Sequence, residues 1–164
     1  MSAARIALCP PHGAWSRAEQ KEAIVKEVAE LVSLGYRAVT LLGQNIDLWV
    51  RDVAPMHRFA DVLQTVGEVS GMDRVRFLTS PPKYISKRVV FVMAANPKLM
   101  PCFNVPFQSG DDDVLRNMRR GYSRKRFLHI VVSIRELVSD AAISVDCIVG
   151  FPGETEELSN AHCR

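Results

Sequence analysis

The sequence predicts an α/β fold built on a parallel sheet that does not close, and three observations carry that prediction. Helical and strand patterns alternate at short spacing, which favours parallel strands joined by right-handed crossovers. The strand segments are nearly continuous apolar runs of the kind found in parallel sheets. Three of them end in polar, glycine-containing turns, Gly43-Gln44-Asn45, Gln108-Ser109-Gly110 and Gly150-Phe151-Pro152-Gly153-Glu154. On a parallel sheet those turns share the carboxyl rim, where α/β proteins keep ligand groups.

The elements follow in order. Residues 17 to 34 place Ile24, Val28, Leu31 and Val32 on one helical face, and Gly35 supplies the stop. A strand over 37 to 42 runs apolar on successive residues, as expected where both faces are covered. A less regular stretch leads to a second helix on which Phe59, Leu63 and Val66 share a face, and residues 74 to 79 form the next strand. Ser80-Pro81-Pro82 breaks the chain, because each proline ring fixes φ and removes an amide donor. Beyond it the pattern gives a helix over 86 to 95, a strand over 102 to 107, a short helix over 111 to 118, a longer one from about 123 to 139 and a strand over 143 to 149. Four such strands do not close a barrel, and residues 5 to 8 offer a fifth. The expected strand edges are apolar, so a chain of this extent is prone to associate.

The chain has 164 residues, is 48% hydrophobic and carries a net charge of +3, which provides for a buried core and permits an RNA partner without specifying one. Its four cysteines, Cys9, Cys102, Cys147 and Cys163, form no CxxC pair, so neither a disulfide framework nor a zinc site is indicated and a reducing, intracellular compartment is expected. No apolar run reaches the roughly 18 to 20 residues that span a bilayer, so no membrane partner is expected. Residues 1 to 18 contain Arg5 and Arg17 and no acid, which leaves cytoplasmic and mitochondrial locations both open.

Asp111-Asp112-Asp113 suggests a metal site, but consecutive aspartates point in different directions while an ion needs converging oxygens. An acidic helix start that caps free amides explains them better. Arg116, Arg119, Arg120, Arg124, Lys125 and Arg126 form a basic run, equally consistent with a solvated helix and with contacts to RNA phosphates. His12, His57, His129 and His162 have no partner at ligand spacing. Trp15 and Trp49 are not interleaved with a basic stripe.

The segment Pro106-Phe107-Gln108-Ser109-Gly110, running on through Val114-Leu115, Met118 and Arg120-Gly121-Tyr122, resembles the tRNA methylthiotransferases, a branch of the radical S-adenosylmethionine (SAM) enzymes. Leu41-Leu42-Gly43-Gln44-Asn45 and Ile148-Val149-Gly150-Phe151-Pro152-Gly153-Glu154 match the same family in order. The resemblance implies a partial, TIM-like (β/α)6 radical SAM barrel at residues 16 to 157, between divergent stretches at 1 to 15 and 158 to 164. It implies SAM as cofactor and tRNA as partner, with a methylthio group added to C2 of N6-isopentenyladenosine next to the anticodon. It places Gly43, Gln44 and Asn45 at the SAM amino group, Gln108 and Ser109 at the ribose hydroxyls, and Val149, Gly150 and Phe151 against adenine. Gly153 would then permit close approach and Glu154 would hold the turn. Arg119, Arg120 and Arg124 are alternatives for the methionine carboxylate, which a guanidinium suits.

The family also implies a 4Fe-4S cluster on a Cys-x-x-x-Cys-x-x-Cys motif, and the chain lacks that motif. Pro81 and Tyr84 also depart from the family pattern. The sequence therefore reads as part of a methylthiotransferase, inactive on its own, or as a SAM- or RNA-binding remnant of that family without catalysis.

Overall fold

A computed structural model describes residues 2–7, 17–42, 59–78, 82 and 85–160. Strand β1 (Ala3–Ala7) leads to helix α1 (Arg17–Ser33), β2 (Ala38–Leu42), α2 (Phe59–Gly67), β3 (Arg74–Leu78), α3 (Lys87–Ala95), β4 (Cys102–Asn104), α4 (Asp112–Asn117), α5 (Arg124–Leu137), β5 (Ala142–Ser144) and α6 (Glu156–Ser159). All described strand pairs are parallel, β1 with β2, β2 with β3, and β4 with β5. The strands form two ladders, β1-β2-β3 and β4-β5, an isolated parallel bridge links Val75 of β3 to Leu99 just ahead of β4, and no closed barrel forms among the described residues. The expected alternation and the fifth strand at the amino end are borne out.

Helix α1 stops where Gly35 predicts. At φ 89° this glycine donates to the Val32 carbonyl at 2.9 Å, while Tyr36 N donates to Leu31 O at 3.0 Å. These two bonds satisfy carbonyls that the helix end leaves open.

The last two strands are shorter than the apolar pattern suggests, for a local reason. Pro106 has no amide to give the ladder, so regular pairing ends near Asn104 and Val105, whose amide donates to Ser144 O at 2.8 Å. Pairing resumes past the proline at a bridge between Gln108 and Cys147.

The core lies between the sheet and its helices. Val39, Leu41, Val75, Phe77 and Phe103 are buried, and Phe77 meets both Phe59 and Phe103 edge-on. Ile24 and Val28 of α1, Val62, Leu63 and Val66 of α2, Val89 and Val90 of α3, and Ile130 and Ile134 of α5 complete it. The expectation that β2 is covered on both faces needs correction, and β3 beside it shows the same one-sided burial. Only the residues facing the helices are buried, whereas Arg74, Arg76 and Leu78 on the opposite face of β3 are exposed. Register sets Arg5 beside Thr40 and Thr40 beside Arg76 on that open face. The apolar edge expected to be uncovered is present at Val145, Ile148 and Val149, the last 71% exposed.

Candidate functional site

Because every strand of the described ladders runs the same way, the strand ends after Leu42, Leu78, Asn104 and Ser144 lie on one rim. The rim is best defined where β4 and β5 end. Gln108 N donates to Asp146 O at 2.7 Å, and Gln108 O accepts from Ile148 N at 2.9 Å and from the Cys147 thiol at 3.5 Å. These bonds set the turn at 108–110 directly beside the loop that begins at Val149. Gln108 holds φ 68°, a conformation that costs a residue with a Cβ about 1 kcal/mol or more. The strain turns the chain sharply out of the sheet and presents the half-buried Gln108 amide at the rim.

Ser109, which the resemblance sets at the ribose hydroxyls, is enclosed by the turn itself. It is 0% exposed, its amide donates to Phe107 O at 2.9 Å, and its hydroxyl accepts from Asp111 N at 3.2 Å. The hydroxyl thus shapes the turn into α4 from inside.

The second loop is closed by Glu154. Its Oε2 accepts from Gly150 N at 2.7 Å and from Phe151 N at 3.0 Å, while Glu154 N donates to Phe151 O at 2.8 Å. Gly150 and Gly153 sit at φ 76° and 87°, and a Cβ on either would meet nothing within 4 Å. Their backbones are therefore open to a planar ligand. Phe151 is half-buried beside them, and Val149 stands exposed. The role foreseen for Glu154, holding the turn, has a physical basis in these bonds.

The three aspartates divide their work, as the helix-start reading requires. Asp111 caps α4, accepting from Asp113 N at 2.8 Å and Val114 N at 2.9 Å. Asp112 accepts from Arg124 N at 2.7 Å, and Asp113 pairs with Arg116. Among the described residues no group of three or more acid, cysteine or histidine side chains is arranged to hold a metal.

Tyr122 was not singled out in the sequence beyond its place in the motif, yet it fastens the rim. Its hydroxyl donates to Phe107 O at 2.7 Å and lies 3.1 Å from Pro106 O. Burial pushes its pKa up to about 12; Arg120 beside it acts in the opposite direction and Cys147 adds to the rise. Arg120 is half-buried with its Nε unpartnered, whereas Arg119 is exposed. The motif residues Gly43, Gln44 and Asn45 lie outside the described residues, as do Cys9, Cys163, Pro81 and Tyr84.

The fit to the two implied cofactors differs. SAM suits the rim: Gln108 can donate and accept, Gly150 and Gly153 leave open backbone, Phe151 offers an apolar edge, and Arg120 carries an orphaned buried donor. Among the described residues the cysteines do not fit the cluster. Cys102 pairs in register with Ala142, and Cys147 lies five residues further along that strand, which at about 3.3 Å per residue separates the two by roughly 16 Å. Two such thiolates cannot serve one cluster.

An open parallel sheet with helices on one face and a polar carboxyl rim defines the class. The sequence model of the radical SAM superfamily matches residues 9–161, and the chain belongs to that superfamily. Its members use SAM together with a 4Fe-4S cluster. Within the superfamily the chain is 43% identical over 141 residues to the tRNA-2-methylthio-N(6)-dimethylallyladenosine synthase of Desulforamulus reducens, covering 86% of this chain. That kinship bears out the resemblance carried by the motifs. The chain spans about a third of that relative's length, 31%.

Solved structures agree on the fold. The radical SAM methyltransferase TsrM of Kitasatospora setae, solved with cobalamin and a [4Fe-4S] cluster, superposes with a TM-score of 0.68 at 17% identity, covering 87% of this chain and 27% of that one. The cobalamin-dependent SAM radical enzyme OxsB superposes with a TM-score of 0.62 at 10% identity, covering 87% of this chain and 21% of the other.

Proposed function

We propose that this chain is part of the SAM-binding core of a tRNA methylthiotransferase that modifies C2 of N6-isopentenyladenosine next to the anticodon. The observation that carries the proposal is the joined rim: ladder bonds from Gln108 to Asp146 and Ile148 hold the 108–110 turn against the 150–154 loop. Sequence kinship to the Desulforamulus reducens synthase supplies the chemistry.

In this reading Gln108 bonds the ribose hydroxyls, and the open backbone at Gly150 with the apolar side chains of Val149 and Phe151 flanks adenine. Gly153 lets the ligand approach, Glu154 keeps the Gly150 and Phe151 amides in place, and Arg120 takes the methionine carboxylate. Gly43, Gln44 and Asn45, which follow β2 in the sequence, receive the amino group. SAM, when bound, supplies adenosyl and methyl groups, and these residues bind and orient it.

A second reading, a SAM- or RNA-binding remnant without catalysis, is favoured by one observation, the spacing of the cysteines. Titration calorimetry with SAM and S-adenosylhomocysteine tests what the two readings share. Binding that weakens about tenfold in Gln108→Ala and Gly150→Val is expected, and no binding at millimolar ligand would overturn the first reading and the SAM-binding form of the second. Anaerobic incubation with iron and sulfide tests the remnant reading by itself. The remnant reading expects no cluster absorption from this chain, and a stoichiometric cluster would remove its basis.

A further inference from the structure

We infer that the cleft between α3 and α5 is a phosphate-binding site for the backbone of the RNA partner; this deepens the tRNA reading above and rests on it. The cleft has a volume of about 90 Å³ and is floored by Ile85, Val90 and Ile130. Around that floor stand Ser86, Lys87, Arg126, His129 and Ser133. The volume is that of roughly three water molecules, the scale of one oxyanion rather than a metabolite.

Charge argues for the anion. Lys87, Arg126 and His129 come from two different helices and line the same cavity, and none is paired with a carboxylate among the described residues. The neighbouring Arg88 differs, being neutralised by Asp61 of α2. The cations also stand where helices prefer acids. The first turn of α3 contains Lys87 and Arg88 and no acid, and that of α5 contains Arg124, Lys125 and Arg126 and no acid. By contrast α2, α4 and α6 carry Asp61, Asp112 with Asp113, and Glu156 with Glu157 at their starts. Positive side chains beside the positive helix end repel it, a cost that a bound anion removes.

Position argues for RNA. In a parallel α/β fold each helix begins at the rim where the preceding strand ends, so the starts of α3 and α5 lie on the side of Gln108 and Gly150. An RNA whose base reaches that rim brings its backbone across the helix starts. The half-buried Arg124 and the exposed Lys125, beside Arg126 in the first turn of α5, extend the same positive surface.

The test uses the full chain, a fluorescently labelled tRNA anticodon stem–loop, and the variants Lys87→Gln/Arg126→Gln and Arg74→Gln. Arg74 is exposed at the opposite, amino end of β3 and serves as the control. The double variant should bind about tenfold more weakly, the size of one lost charge-assisted contact, and its slope of log affinity against log salt should fall by about one. Arg74→Gln should bind as the parent does. Circular dichroism melts of all three confirm that the exposed substitutions leave the fold intact. Equal RNA binding by parent and double variant would overturn the site and leave the RNA reading standing. If the parent binds no RNA, both fail together, and an inorganic phosphate titration that shifts the Lys87 and His129 resonances would then assign the cleft to a free anion.

Discussion

The Tyr122 hydroxyl donates to the Phe107 carbonyl at 2.7 Å, which ties the turn between α4 and α5 to the residue just before Gln108. Tyr122→Phe removes this bond and should cost about 1 kcal/mol, read as a lower urea midpoint. The pH dependence follows from the raised pKa of about 12. Above pH 10 the unfolded chain gives up the phenol proton while the folded chain keeps it, so this contribution is complete below pH 10 and fades between 10 and 12. Stability should therefore fall more steeply from pH 9.5 to 11.5 in the parent than in Tyr122→Phe, and parallel profiles would contradict the assignment.

Gln108 keeps a left-handed backbone that glycine adopts freely. Gln108→Gly should be more stable than Gln108→Ala by about 1 kcal/mol, since alanine retains the strain and lacks the amide. Both should lose affinity for SAM. Thermal melts and calorimetry on the pair measure the two effects separately.

Glu154 is the clasp of the second loop. Glu154→Ala frees the amides of Gly150 and Phe151, and their hydrogen exchange should quicken at least about tenfold while core amides such as that of Val39 stay unchanged. Unaltered exchange at Gly150 would show that the loop holds its shape without the carboxylate.

Asp112 joins the first turn of α4 to that of α5 through Arg124 N. Asp112→Ala should lower stability by about 1 kcal/mol. Because each aspartate of the triplet already serves a separate partner, millimolar calcium or magnesium should leave the melting temperature of the parent unchanged.

Much of this was legible from the chain because the signals are local. Gly35, the apolar face of α2 and the acidic start of α4 each act within a few residues of themselves, so their positions predicted the elements they end or begin. Pro106 could have warned that β4 would be short, since a missing amide is visible in sequence. Other features depend on partners far along the chain. Burial of Ser109 shows only in the folded chain, and the bond from Tyr122 to Phe107 spans 15 residues. The cleft is less legible still, because Lys87 and His129 lie 42 positions apart and meet only when α3 lies on α5.

The backbone of Gln108 also bears on descent. A residue with a Cβ held at φ 68° is disfavoured on stability alone, so under the proposed role it is the use of its side chain at the ribose that keeps it there. In lineages that no longer bind a ligand at this rim, mutational drift should carry the position to glycine or asparagine. In working ones it should remain a long amide, making position 108 a marker that separates live copies of this gene from relics.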